Sequence, residues 1–123
     1  MTTTSKMVPP VPEGTGDSGS RLWRDILGKY ELEEHELALL REAVRTVDQL
    51  DKLHDITEAE GLTVDGPHGS KAHPALTEAR QLRIALARVL AALRLPAGDE
   101  DDQAKVRRPQ RRAGVRGVYS AGA

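Results

Sequence analysis

Four histidines and nineteen carboxylates are the residues of this 123-residue chain that could ligate a metal or move protons. Cysteine is absent, which removes zinc ribbons, thiol nucleophiles and disulfide frameworks. His35 and His54 fall within a long helical pattern, while His68 and His73 flank a turn-rich stretch. Near that second pair only Asp65 offers a third ligand, and a metal centre needs three or four ligands in fixed geometry. Glycines at 66 and 69 keep His68 on a pliant backbone. His73 precedes Pro74 and suits the extended entry to a helix. The stretch GPHGSK at 66–71 ends like a phosphate loop but lacks the Gly-x4-Gly-Lys-Ser/Thr spacing. No Ser/His/Asp arrangement emerges. The expectation is a protein without catalytic residues, metal or cofactor, and not an enzyme.

The chemistry that does concentrate is cationic. Lys105, Arg107, Arg108, Arg111, Arg112 and Arg116 place six positive charges in twelve residues, among Pro and Gly that keep the chain open. Six phosphate contacts would give log K against log[salt] a slope of about −5. Tyr119 is the one neighbouring aromatic, so base stacking is not indicated. The plainer alternative is a solvated tail that maintains solubility or docks on an acidic protein. Asp99, Glu100, Asp101 and Asp102 stand just upstream, close enough in sequence to pair with the cluster and moderate its binding.

The formal net charge of −1 conceals a strong segregation. Residues 31–60 carry −7 and residues 71–94 carry +4, with further positive excess at both ends of the chain. Such asymmetry indicates either mutual pairing or an anionic partner.

The elements that must position these charges are helical. Residues 1–19, rich in Thr, Ser, Pro and Gly, are expected to be disordered. Ser20 is placed to cap a short helix whose apolar stripe is Leu22, Trp23, Ile26, Leu27 and Tyr30 and whose other side carries Arg21, Arg24 and Lys29. Leu37, Leu40, Val44, Val47, Leu50, Leu53 and Ile56 then step by three or four along one face of a second helix of about 27 residues. Glu33, Glu34 and Glu36 lead it, Asp48 and Lys52 have ion-pair spacing, and Gly61 fits just past its end. Residues 62–73 suggest a loop or irregular hairpin, with Asp65–Gly66 as its turn. Pro74 opens a third helix with an apolar face of Leu76, Ala79, Leu82, Leu86, Val89, Leu90 and Leu93, ended by Pro96. Its basic positions are Arg80, Arg83 and Arg88. Residues 97–123 have almost nothing to bury and are expected to be disordered. The fold class is therefore all-α: a short helix, then a long antiparallel helical hairpin over residues 20–96, between two disordered tails.

One Trp, two Tyr and no Phe leave the core to Leu, Val, Ile and Ala. Two helices shield only one stripe of each other, and a core this small supplies little stability alone. Leu37, Leu40, Val44, Val47, Leu50, Leu82, Leu86, Val89, Leu90 and Leu93 are therefore the candidate oligomerisation residues, with an acidic and a basic helix as complementary faces. No apolar run is as long as a membrane span, and the N-terminus lacks a signal-peptide core, so a cytoplasmic, membrane-free protein is expected.

Leu22–Trp23, Tyr30-Glu31-Leu32, His35-Glu36-Leu37 with Leu39–Leu40, Asp48–Leu50, the Gly61, Gly66 and Gly69 loop, His73-Pro74-Ala75-Leu76 and Leu95–Pro96 together resemble the small terminase subunit of tailed bacteriophages. The resemblance spans residues 20–96. It implies a ring-forming subunit that binds double-stranded phage DNA when packaging begins and presents it to the large terminase subunit, which carries the ATPase and nuclease. It also implies the cytoplasm of the bacterial host. The DNA-binding surface is open between Arg21, Arg24 and Lys29, the third helix with Arg80, Arg83 and Arg88, and the tail. The tail alternatively engages the large subunit. A stand-alone helical DNA-binding protein or an adaptor with a basic tail is the rival reading.

Overall fold

The computed structural model describes residues 7–96 and 109–112. It is mostly helical: α1 (Asp17–Lys29), α2 (Glu34–Glu60) and α3 (Pro74–Leu93) are joined by very short strands. Strand β1 (Tyr30–Glu31) follows α1, the hairpin β2 (Thr63–Gly66) and β3 (Gly69–Ala72) links α2 to α3, and β4 (Gln110–Arg111) returns antiparallel to β1. Three helices and two small antiparallel sheets make up the described fold.

Helix α2 has 27 residues and so runs about 40 Å. Glu36 reaches back to accept the Glu33 N–H at 2.7 Å, so the first turn is capped although Glu33 is not a usual capping residue. At the other end Gly61 takes φ +92° and donates its N–H to the Thr57 carbonyl, a backbone state that favours glycine. Helix α3 starts at Pro74, where the missing N–H is not needed, and His73 holds the extended entry conformation. Pro96 is not what ends α3. Arg94 adopts a left-handed conformation, φ 55°, two residues earlier, and its N–H bonds the Ala91 carbonyl.

Helix α1 begins at Asp17, three residues before the expected cap Ser20, which lies inside it. The reason is tertiary. Asp48 of α2 accepts the Gly16 N–H at 2.7 Å and the Gly19 N–H at 2.8 Å, so a carboxylate from another helix satisfies the α1 N-terminus. Within residues 9–16, placed in a disordered tail from sequence, Pro9 and Val11 instead pack against the fold. The buried Trp23 needs a partner for its indole N–H and donates it to the Pro9 carbonyl at 3.0 Å, while Val11 lies against the core.

The core sits at one end of the helical hairpin. Trp23, Ile26, Leu27, Leu32, Leu40, Val44 and Leu93 form a single buried cluster where α1 covers the start of α2 and the end of α3. Toward the other end no third layer exists among the described residues. There the buried positions are the small Thr57, Ala75 and Ala79, with His73. Thr57 satisfies its hydroxyl within α2 by donating to the His54 carbonyl at 3.0 Å. The larger Leu50, Leu53, Leu82 and Leu86 remain half-buried. Small residues bring the two helices close, and the leucines beside them have one partner instead of two.

The connecting hairpin is regular and turns two residues later than expected. Thr63 pairs with Ala72 and Gly66 with Gly69, leaving Pro67–His68 as the turn. Pro67 there loses no ladder bond, because a central turn position donates none, and its fixed φ suits the turn. Gly69 follows with φ +109°.

Candidate functional site

Each candidate cation is positioned by a helix or by the β1–β4 pair. On α1, Arg21 and Arg24 are exposed and Lys29 pairs with Asp25 at 3.1 Å. On α3, Arg80, Arg83 and Arg88 are exposed. Arg80, Ile84, Ala87 and Ala91 step by three or four, with Arg88 one turn beyond Ile84, so they share the face of α3 turned to solvent. Ile84 is 44% exposed at its centre. On α2, Asp51, Asp55 and Glu58 make an exposed acidic row. Among the described residues no ion pair joins an α2 carboxylate to Arg80, Arg83 or Arg88. The charge split is therefore not consumed inside the subunit.

The candidate assembly residues divide into two sets. Leu40, Val44 and Leu93 are fully buried within the subunit and are spent on its own core. They are corrected here as interface candidates, since α1 covers them. Leu37, Val47, Leu50, Leu82, Leu86, Val89 and Leu90 are half-buried and keep apolar surface for a neighbour. Leu37 and Leu90 also pack against the core cluster.

The basic tail is split by the structure. Lys105, Arg107, Arg108 and Arg116 lie outside the described residues. Arg111 and Arg112 are held on the subunit: Tyr30 pairs with Arg111 and Glu31 with Gln110 in antiparallel register. The Arg112 N–H donates to the Lys29 carbonyl at 2.8 Å, and its side-chain Nε donates to the Leu27 carbonyl. Both acceptors belong to the C-terminal turn of α1, where carbonyls lack helical partners and a cation is favoured. Arg111 lies over the Tyr30 ring, 5.7 Å from its centroid, and the Tyr30 hydroxyl donates to the Pro96 carbonyl at 2.9 Å. The expectation of a disordered 97–123 therefore fails at 109–112, because α1 offers unpaired carbonyls that an Arg on a short strand can reach. Beside Arg112 is a groove of about 220 Å³ lined by Pro9, Leu32 and Leu37 together with Glu31, Glu33 and Glu34.

The histidines do not converge. His35 and His68 are exposed, and His54 is 3.9 Å from Glu58. His73 is buried: its Nδ1 accepts the Ala75 N–H at 3.0 Å, and its Nε2 lies 2.7 Å from Glu60 Oε1. An accepting Nδ1 puts the proton of the neutral ring on Nε2, which donates to Glu60. This ring joins the end of α2 to the start of α3, a structural task. Among the described residues no group of three or more His, Asp or Glu gathers as metal ligands, and no helix is long and apolar enough to cross a membrane.

Sequence reasoning missed the Asp48 cap and the Arg112 anchor. Asp48 has Lys52-pairing spacing, which hides its use by α1; the signal was Gly16 and Gly19, a helix start with no capping side chain of its own. Comparison with protein-family models, with characterised proteins and with solved structures finds no match to this chain.

Proposed function

We propose that the chain is the DNA-binding, ring-forming small subunit of a phage packaging machine, without catalytic activity of its own. It acts in the host cytoplasm and delivers double-stranded DNA to a large ATPase and nuclease subunit. The observation that carries this reading is the two-layered far end of the α2–α3 hairpin. Half-buried Val47, Leu50, Leu82, Leu86 and Val89 lie between an exposed acidic row on α2 and an exposed basic face on α3. A second copy supplies the missing layer and matches the charges in a head-to-tail contact, which closes into a ring when the rotation allows. The resemblance of residues 20–96 to small terminase subunits supports the same role. DNA contacts fall to Arg80, Arg83 and Arg88, to Arg21, Arg24 and Lys29, or to the tail.

Native mass spectrometry at micromolar concentration tests the assembly. A closed particle of several 13.4 kDa subunits is expected, and a monomer would overturn the ring. Duplex DNA binding, measured against salt, tests the rest. A ring that binds no DNA at low salt is the protein adaptor instead. Binding without stimulation of a packaging ATPase favours the stand-alone DNA-binding protein.

A further inference from the structure

We propose that the corner formed by the end of α1 and strand β1 is a binding site for an extended Arg-Arg segment. Residues 109–112 of the same chain occupy it as a releasable latch, and a polyanion competes for its two arginines. The functional consequence rests on the reading of the tail as an anion-binding element.

The site is built from three kinds of contact. The α1 carbonyls of Leu27 and Lys29 accept from the side chain and backbone of Arg112. Tyr30 offers its ring to Arg111, and Pro109 is buried against the subunit. Glu31, Glu33 and Glu34 line the groove that Arg112 also lines, so the surroundings favour a cation. Tyr30 additionally donates to the Pro96 carbonyl, so one side chain meets both Pro96 and Arg111.

The latch is also small. Strand pairing covers two residues on each side, and burial is confined to Pro109 and Arg112. A segment this short, held at the edge of the fold, opens at less cost than the helical core. Phosphates offer Arg112 the charge-assisted bonds that the α1 carbonyl supplies and offer Arg111 an anion in place of the Tyr30 ring. Docked, the segment buries Arg112 and leaves Arg111 exposed, so one cation of the cluster of six is withdrawn. Five phosphate contacts give a salt slope of about −4.5, and six give about −5.4.

The experiment uses the full chain with two probes, a short DNA duplex and heparin, which carries dense negative charge without bases. Amide exchange at Arg112 reports the latch, because that N–H is bonded to Lys29 when docked. Saturating polyanion is expected to remove its protection, with a salt slope near the six-contact value. Arg112→Lys keeps the charge but loses the Nε donor, and it is expected to tighten polyanion binding roughly tenfold. Tyr30→Ala, which leaves every tail cation in place, is expected to tighten it as well. Persistence of Arg112 protection in the saturated complex, or no tightening in either variant, overturns the latch. Release by heparin with no binding of the duplex keeps the latch and removes DNA as its partner. Binding of neither polyanion overturns both.

Discussion

Helix α1 contains two glycines that should respond to alanine with opposite signs. Alanine gains about 1 kcal/mol over glycine in a helix interior, so propensity favours both changes. At Gly28 nothing lies within 4 Å of the position a Cβ would take. Gly28→Ala should therefore stabilise by about 0.5–1 kcal/mol. At Gly19 the same atom would stand 2.6 Å from Asp48 Oδ2, 2.8 Å from Val44 Cγ1 and 2.8 Å from Thr15 Cγ2. Neither α2 neighbour yields easily. Val44 is fully buried, and the Asp48 carboxylate is fixed by the N–H groups of Gly16 and Gly19. Overpacking costs about 1–3 kcal/mol, and displacing the carboxylate weakens bonds each worth about 1.5–3 kcal/mol. Allowing for the propensity gain, Gly19→Ala should destabilise by about 2–3 kcal/mol. For a folded region of this size each kcal/mol moves Tm by about 4–8 °C. Thermal unfolding by far-UV circular dichroism should place Gly19→Ala about 8–24 °C below the parent and Gly28→Ala a few degrees above it. A Gly19→Ala protein that melts with or above the parent would refute the seating of α1 on α2 through this glycine.

Further substitutions probe the other contacts. Asp48→Ala leaves two α1 N–H groups without their acceptor and should cost about 2 kcal/mol, with Asp48→Asn costing about half; urea unfolding followed by Trp23 fluorescence measures both. His73→Ala should cost about 1–2 kcal/mol through the lost α3 cap, and His73→Asn should recover most of it. Equal losses in the two variants, read by the same unfolding curves, would show that the Glu60 contact and not the cap carries the effect. Ile84→Glu places a carboxylate at the centre of the basic, solvent-facing side of α3. It should raise the concentration needed for assembly at least tenfold in sedimentation velocity while changing subunit stability by less than about 0.5 kcal/mol. Unchanged assembly would remove that face from the interface.

Much of this fold was legible because long helices repeat their signal. The steps of three and four from Leu37 to Ile56, the Glu-rich first turn and Gly61 define α2, and Pro74 with the Leu76–Leu93 stripe defines α3. What escaped was decided by contacts distant in sequence. Gly16 could start α1 only because Asp48 arrives from α2, and composition cannot report that. The Pro-rich segment before it resembles a disordered tail until Trp23 needs an acceptor for its N–H. Arg112 likewise belongs to a run of cations that any sequence argument assigns to solvent. Its anchor exists because α1 ends with carbonyls exposed at the corner where β4 returns. The apolar stripes of α2 and α3 follow the helical period, but a stripe marks which residues are apolar, not whether Leu40 or Leu50 receives the third layer.

The energetics of the half-buried row bear on the kind of assembly. Completing the burial of a Leu or Val that is already half covered gains about half of the usual 1.5–3 kcal/mol. For Leu37, Val47, Leu50, Leu82, Leu86, Val89 and Leu90 together this is about 5–10 kcal/mol, an upper bound because one neighbour does not cover them all. Bringing two proteins together costs about 4–15 kcal/mol in lost freedom before any contact is counted. A lone pair of subunits held by this row is therefore weak, and the exposed charges on α2 and α3 add steering and register more than affinity. Closure changes the balance. In a head-to-tail ring each subunit is held through two contacts, and the last contact forms without a further association cost, which raises the effective concentration at that interface. A surface of leucine and alanine contacts with separated charges is thus better suited to the proposed closed ring than to an isolated dimer.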